Sequence, residues 1–298
     1  MNLRSRLMVL VALAVVMFLT TGCQGSDKHQ ATPAESWLTP SAGAGQLDWQ
    51  TASFSLPMDQ YAMSMRDVQL VDAAHTVLFL RCANGHDELD SEELENVRQT
   101  MNEPMFASER WMFGHWDAPF ISATGDQRVT DSVPLGPRPV DHSILSKCVN
   151  EDQTVLTMQT VAPTYGLMAL ADAEFMPLVG YWWEGVSLAE ADPRYLELNK
   201  QRNTCTQSHG YAIYFPDNDN IGWLSYQDGW TPEQQLRAKL VEANCSDDMR
   251  FTQQLIDMVA TYQMATIAQH QAEIVAMKQN LDERVARAKA ILADLGLL

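Results

Sequence analysis

Apolar residues return every three or four positions in several stretches of the chain, the spacing of a helix with one buried face. Between Ser64 and Asn84, Val68, Val71, Leu78 and Cys82 keep this spacing and Gly85 follows, which predicts a helix with a glycine stop. Ser91 to Asn102 reads as a short acidic helix. Asp192-Pro193 sets a capping side chain before a proline at the first helical position. The helix it opens carries Tyr195, Leu198 and Cys205 on one face and ends at His209-Gly210. Thr231-Pro232-Glu233-Gln234 has the form of a capping box and opens another helix.

Beyond Pro232 neither glycine nor proline occurs as far as Leu295. Phe251, Leu255, Met258, Tyr262, Ile274, Met277, Leu281, Ala288 and Ile291 keep the helical spacing, so one helix or two collinear helices should run for more than forty residues. The expected break is Asn244 to Asp247, with Ser246 or Asp247 as a fresh cap. An element that long spans about 60 Å and cannot be buried all round, so it crosses the domain or projects from it. Its charged part, Glu273 to Lys289, reads as a solvated face in preference to a docking helix or a coiled-coil seam.

The remaining segments lack this period. Tyr211 to Ser225 suggests a hairpin, and Thr154 to Val161 a strand. Pro104 to Gly185 holds more than half of the prolines and reads as loops with short extended pieces. Gln24 to Gln50 is rich in Ser, Ala, Gly, Pro, Thr and Gln, the composition of a flexible tether. The expected architecture is therefore mainly α: a helical domain over residues 51–298 with short β and loop insertions, two disulfides and a long C-terminal helix, on a tether spanning residues 23–50.

Residues 1–22 have the layout of an export signal, with Arg4 and Arg6 ahead of thirteen apolar residues from Leu7 to Leu19. Thirteen helical residues rise about 20 Å, too little for a bilayer core of about 30 Å. Thr20-Thr21-Gly22-Cys23 resembles a lipobox, which makes Cys23 the expected lipidation site and mature N-terminus. Two acyl chains hold a protein stably at a membrane where one would not. The expected location is extracytoplasmic, lipid-anchored to the cell membrane through Cys23.

In an oxidising compartment the four remaining cysteines, Cys82, Cys148, Cys205 and Cys245, form two disulfides by default. Three pairings are possible, and Cys82–Cys148 with Cys205–Cys245 is the expected one. The second closes a loop of forty residues, a contribution on the order of 4 kcal/mol in the chain-entropy model. No cysteine stands in a CxxC pair and no histidine has finger-like spacing, so neither a metal nor a cofactor is expected. A formal net charge of −18, deepened by two when Arg4 and Arg6 leave, excludes nucleic acid as a partner and repels anionic lipid headgroups.

Familiar catalytic motifs are absent, and no catalytic residue is nominated. Asp217, Asp219, Gly222 and Asp228 match part of a calcium loop, but Ile221 occupies a ligand position and the flanks look extended, so a polar hairpin turn is the better account. His86, Asp87, Glu88, Asp90, Glu92 and Glu93 make an acidic patch that is either a weak site for a divalent cation or, the better account, a set of solvated turn and helix-start carboxylates beside a histidine. His115-Trp116-Asp117 is either an acid–base pair or a satisfied loop contact. Eight tryptophans, among them Trp111, Trp116, Trp182, Trp183, Trp223 and Trp230, serve as core or as a sugar-stacking surface.

Arg81-Cys82 with Gly85, Lys147-Cys148, Asp192-Pro193-Arg194 leading to Cys205, His209-Gly210-Tyr211, and Glu242-Ala243-Asn244-Cys245 before the last helix follow one another along the chain. In this order the chain resembles a family of uncharacterised actinobacterial extracytoplasmic lipoproteins, over most of its mature length. The resemblance implies a lipid-anchored envelope protein and supplies no site residues. Three roles are compatible: binding or structural interaction with an envelope protein or glycan, hydrolysis of envelope polymers at His115 and Asp117, or regulation through the C-terminal helix.

Overall fold

A computed structural model describes residues 37–48, 53–85, 88–102, 113–125, 176–215 and 221–298. The chain divides into Met1–Trp37 and Leu38–Leu298, and the second unit is the folded domain. The signal segment, Cys23, Trp111, Cys148 and the expected strand Thr154 to Val161 lie outside the described residues.

The domain is mainly helical. Strands β1 (Gln46–Asp48) and β2 (Ser53–Ser55) pair antiparallel, with Leu47 opposite Phe54, and a 3₁₀ turn follows at Pro57–Tyr61. Then come α1 (Met65–Asn84), α2 (Ser91–Asn102), α3 (Ala118–Thr124), α4 (Met176–Ala191) and α5 (Pro193–Ser208). Strands β3 (Ile213–Tyr214) and β4 (Trp223–Leu224) make an antiparallel hairpin before α6 (Pro232–Asp248) and α7 (Phe251–Asp294).

Local chemistry sets the helix ends. The Ser64 hydroxyl accepts from Asp67 N, and Gly85 closes α1 at φ 69, a left-handed conformation that glycine adopts without a Cβ clash. Asp90 caps α2 by accepting from the amides of Glu92 and Glu93 at 2.8 and 2.9 Å. Asp192 caps α5, and Thr231 with Gln234 forms the capping box of α6.

The spine is α7, whose 44 residues pack against α1, α4 and the 3₁₀ turn. Its first half is buried nearly all round, from Phe251 through Gln263. Its second half buries one stripe, Ile274, Met277, Leu281, Val285, Ala288 and Leu292, and exposes the opposite side. At His270 the backbone leaves helical geometry (φ −115, ψ 21), and Tyr181 of α4 stacks on that imidazole at 4.3 Å. The helix thus crosses the domain and does not project.

Polar side chains of α7 also hold the structure together. The buried Gln263 amide accepts from Met58 N at 3.1 Å and donates to the Trp182 carbonyl at 3.3 Å. A Cβ on Gly185 would come within 3.1 Å of Gln263 N, so glycine permits the close approach of α4 to α7. Thr261 Oγ1 accepts from Ser41 N at 2.9 Å, and Asp257 accepts from Gly45 N at 3.3 Å.

Four expectations need correction. Residues 38–48, assigned to the tether, are fixed on α7 by those hydrogen bonds and by β1. The stretch Pro104 to Gly185 contains α3 and the start of α4; Pro177 is tolerated as the second helical residue, where its missing N–H has no helical partner to lose. The break before α7 falls at Met249 and Arg250, the latter in left-handed backbone at φ 52, not at Ser246 or Asp247. The face that α5 buries is largely polar, Tyr195 with Asn199, Arg202, Asn203 and Thr206, while Leu198 is half-buried.

Asp59 gives the fold a pH signature. Burial pushes its carboxyl up to about 6, against the opposing hydrogen bonds from Leu56 N and Trp182 Nε1. The native state therefore keeps a proton that the unfolded chain releases near pH 4, and stability falls as pH rises from about 4 through 6. Denaturant titrations should lose on the order of 2–3 kcal/mol from this group across that interval. In Asp59→Asn that part of the slope should vanish; an unchanged slope would remove Asp59 as its source.

Candidate functional site

A buried ionic cluster joins α5, α6, the turn before α3 and the β3–β4 hairpin. Arg202 of α5 and Glu242 of α6 are each 1% exposed, low enough that neither charge is relieved by water. Arg202 Nη1 donates to the Phe113 carbonyl at 2.8 Å and Nη2 to the Gly222 carbonyl at 2.9 Å. The guanidinium also lies over the Phe251 ring at 4.6 Å, a cation–π contact with the first residue of α7. Its Nη1 is 3.7 Å from Glu242 Oε1.

The other Glu242 oxygen, Oε2, meets His115 Nδ1 in a close hydrogen bond. A carboxylate only accepts, so Nδ1 carries the hydrogen and Nε2 presents its lone pair in the neutral ring. The Tyr226 hydroxyl stands 3.1 Å from that Nε2. The result is a chain of carboxylate, imidazole and phenol running from the core to a Tyr226 ring that is 43% exposed.

Burial pushes the Glu242 carboxyl up, but the hydrogen bond from His115 and the charge of Arg202 outweigh it, so the group is held below the ordinary carboxylate range. Gly114 leaves room for the cluster. Its φ is +75, and a Cβ there would sit 2.5 Å from Arg202 Nη1 and 3.0 Å from Glu242 Oε1.

Asp117 belongs to the scaffold, not to an acid–base pair with His115. Its carboxylate accepts from Phe120 N at 3.0 Å and caps α3 from a left-handed backbone at φ 66. Asp247 of α6 accepts from the amides of Asp117 and Ala118 at 3.1 and 2.9 Å, and Ala118 and Ile121 pack on Ala243. Ser246 Oγ donates to the His115 carbonyl at 3.0 Å, which fixes the histidine backbone on α6.

The Cys205–Cys245 disulfide joins α5 and α6 with Cα atoms 5.9 Å apart. Each cysteine stands three residues after a member of the ion pair, Arg202 or Glu242, on the same side of its helix. Cys82 is also disulfide-bonded, whereas its expected partner Cys148 lies outside the described residues.

Aromatic residues cover this end of the domain. Trp230 makes edge contacts with Tyr211 at 5.9 Å and Tyr226 at 6.2 Å. Tyr214 and Phe215 on the hairpin are 58% and 47% exposed, the largest exposures among the aromatic residues described. The tryptophans divide otherwise: Trp116 and Trp182 are buried, and Trp183, Trp223 and Trp230 are half-buried. The antiparallel flanks of Asp217 to Asp228 are those of a hairpin and not of a helical calcium site. Among the described residues no helix is long and apolar enough to cross a membrane.

No family model, no curated protein and no solved structure matches the chain.

Removing one member of a buried pair strands the other charge, which typically costs 3–5 kcal/mol. Glu242→Gln should lower the unfolding free energy at pH 7 by about that much in urea titrations. Because the Glu242 carboxyl is held low, its contribution is present above the ordinary carboxylate value and is lost as pH falls through the depressed one. Parent and variant should converge in strongly acid solution, and equal stability at pH 7 would contradict the assignment.

Proposed function

We propose that the chain is a lipid-anchored extracytoplasmic envelope protein that binds a neutral glycan on the aromatic surface of its β3–β4 hairpin. The observation that carries this reading is the exposure of Tyr214, Phe215 and Tyr226 around a hairpin held by Arg202. Aromatic faces pack against the apolar faces of sugar rings while phenol hydroxyls exchange hydrogen bonds with sugar hydroxyls. The formal net charge of −18 disfavours anionic polymers. The export-type N-terminus, Cys23 and the Cys205–Cys245 disulfide support the envelope location. Kinship with the lipoproteins named above is part of the same proposal.

Regulation through the C-terminal helix has less support, because α7 supplies the core and truncation at Phe251 would remove it. Hydrolysis of envelope polymers keeps one specific observation in its favour. Glu242, His115 and Tyr226 form the linear array in which a carboxylate orients an imidazole toward a hydroxyl. The carboxylate in that array is Glu242 and not Asp117.

On a glycan array, the purified protein should retain neutral oligosaccharides, and a Tyr214→Ala/Phe215→Ala double variant should retain them at least tenfold less with unchanged unfolding. Retention indifferent to both substitutions would contradict the surface assignment. Release of reducing ends from envelope polymer, abolished by His115→Ala in protein that still folds, would favour the hydrolase. Intact-mass analysis of protein extracted from native membranes should give a chain that begins at an acylated Cys23. Recovery of the full chain with Met1 retained and no lipid would rule out the anchor.

A further inference from the structure

We propose that the Cys205–Cys245 pair, once reduced, forms with His209 a three-ligand site for a soft cation, so that the disulfide acts as a redox gate on metal binding. The three side chains each offer a ligand atom, and these atoms lie within 4.8 Å of one another. Cys205 lies in the last turn of α5 and His209, four residues on, is its C-cap residue, while Cys245 meets Cys205 from α6. Cys245 is buried, Cys205 is half-buried and His209 is exposed, so the group opens to solvent on one side and is backed by protein on the other.

His209 Nδ1 is 3.0 Å from the Cys205 carbonyl, an acceptor only, so Nδ1 carries the hydrogen and Nε2 keeps its lone pair. Ligating histidines commonly donate their other ring N–H to a backbone carbonyl in this way. Two thiolates with one imidazole, and a fourth position left to water, suit Zn²⁺.

The scaffold survives loss of the S–S bond because a second link lies one turn away. Arg202 and Glu242 precede the two cysteines by three residues each and hold α5 against α6 through the buried cluster. Opening the bond needs a dithiol reductant. One dithiol is oxidised to its own disulfide while Cys205 and Cys245 take two electrons and two protons as thiols. Zn²⁺ then displaces both thiol protons and forms two Zn–S bonds and one Zn–N bond. Thiol–disulfide exchange with a small-molecule disulfide reverses this: that disulfide takes the two electrons and becomes a dithiol, Cys205 and Cys245 re-form their S–S bond, and the ion leaves.

The test uses the mature chain, a Cys82→Ser variant of it, and Zn²⁺ and Co²⁺ as probes under anaerobic conditions. After dithiol reduction and desalting, the Cys82→Ser chain should bind one Zn²⁺, and Co²⁺ should give a thiolate charge-transfer band; the oxidised chain should show neither. Far-UV circular dichroism should stay helical throughout. His209→Ala should weaken Zn²⁺ binding about tenfold or more, since even outer partners of a ligand are worth that much. Reduced chain that binds no ion, binds it equally well with His209→Ala, or loses its helices on reduction would each overturn the proposal.

Discussion

A carboxylate sealed in the domain interior is the constraint around which the described structure is arranged. Glu242 is 1% exposed, and an isolated ion of its size would cost several kcal/mol to bury. The cost is offset by bringing Arg202 from α5 and His115 from the turn before α3 to its two oxygens. Arg202 also donates to the Phe113 and Gly222 carbonyls, which ties a loop and a hairpin to the same point. The pair need not stabilise the fold more than apolar residues of equal volume would. It does specify which segments meet, because the buried charges and carbonyls lose partners in any other arrangement.

The long last helix provides the complementary, mostly apolar half of the architecture. Its Phe251 touches the Arg202 guanidinium, so the ionic cluster and the apolar spine are continuous. Further along, Gln263, Thr261 and Asp257 use single hydrogen bonds to fix α4, the 3₁₀ turn and the segment before β1. A buried hydrogen bond contributes about 1 kcal/mol net, less than the burial of one large apolar side chain. These polar contacts therefore select the register, while the apolar stripe supplies most of the adhesion. At the surface the cluster ends in Tyr226, near the exposed rings of the hairpin, so the buried ionic cluster leads to the candidate binding surface.

What was legible in the sequence was local. Ser64 and Gly85, Asp192-Pro193, and Thr231 with Gln234 each bound their helices through contacts within a few residues, and those helices appear where the caps place them. Helix α4 was not legible, because Pro177, Gly180 and Gly185 read as breakers; packing on α7 overrides propensity and even uses Gly185 for close approach. The break at Arg250 carries no turn residue to announce it. Nothing in the local sequence marks Arg202 and Glu242 as buried, since most of what buries them lies tens of residues away. One signal was present nonetheless. If Cys205 bonds Cys245, positions one turn earlier on both helices must face each other, and those positions hold opposite charges.

The central claim is that Arg202 and Glu242 act as a unit in the core. A double-mutant cycle of Arg202→Met and Glu242→Met, read by equilibrium unfolding, tests it most directly. The account predicts strong non-additivity, with the double variant less damaged than the sum of the singles by at least about 1 kcal/mol, because neither charge is then stranded. Losses that simply add would mean that the two side chains are energetically independent, and the organising role given to Glu242 would fail.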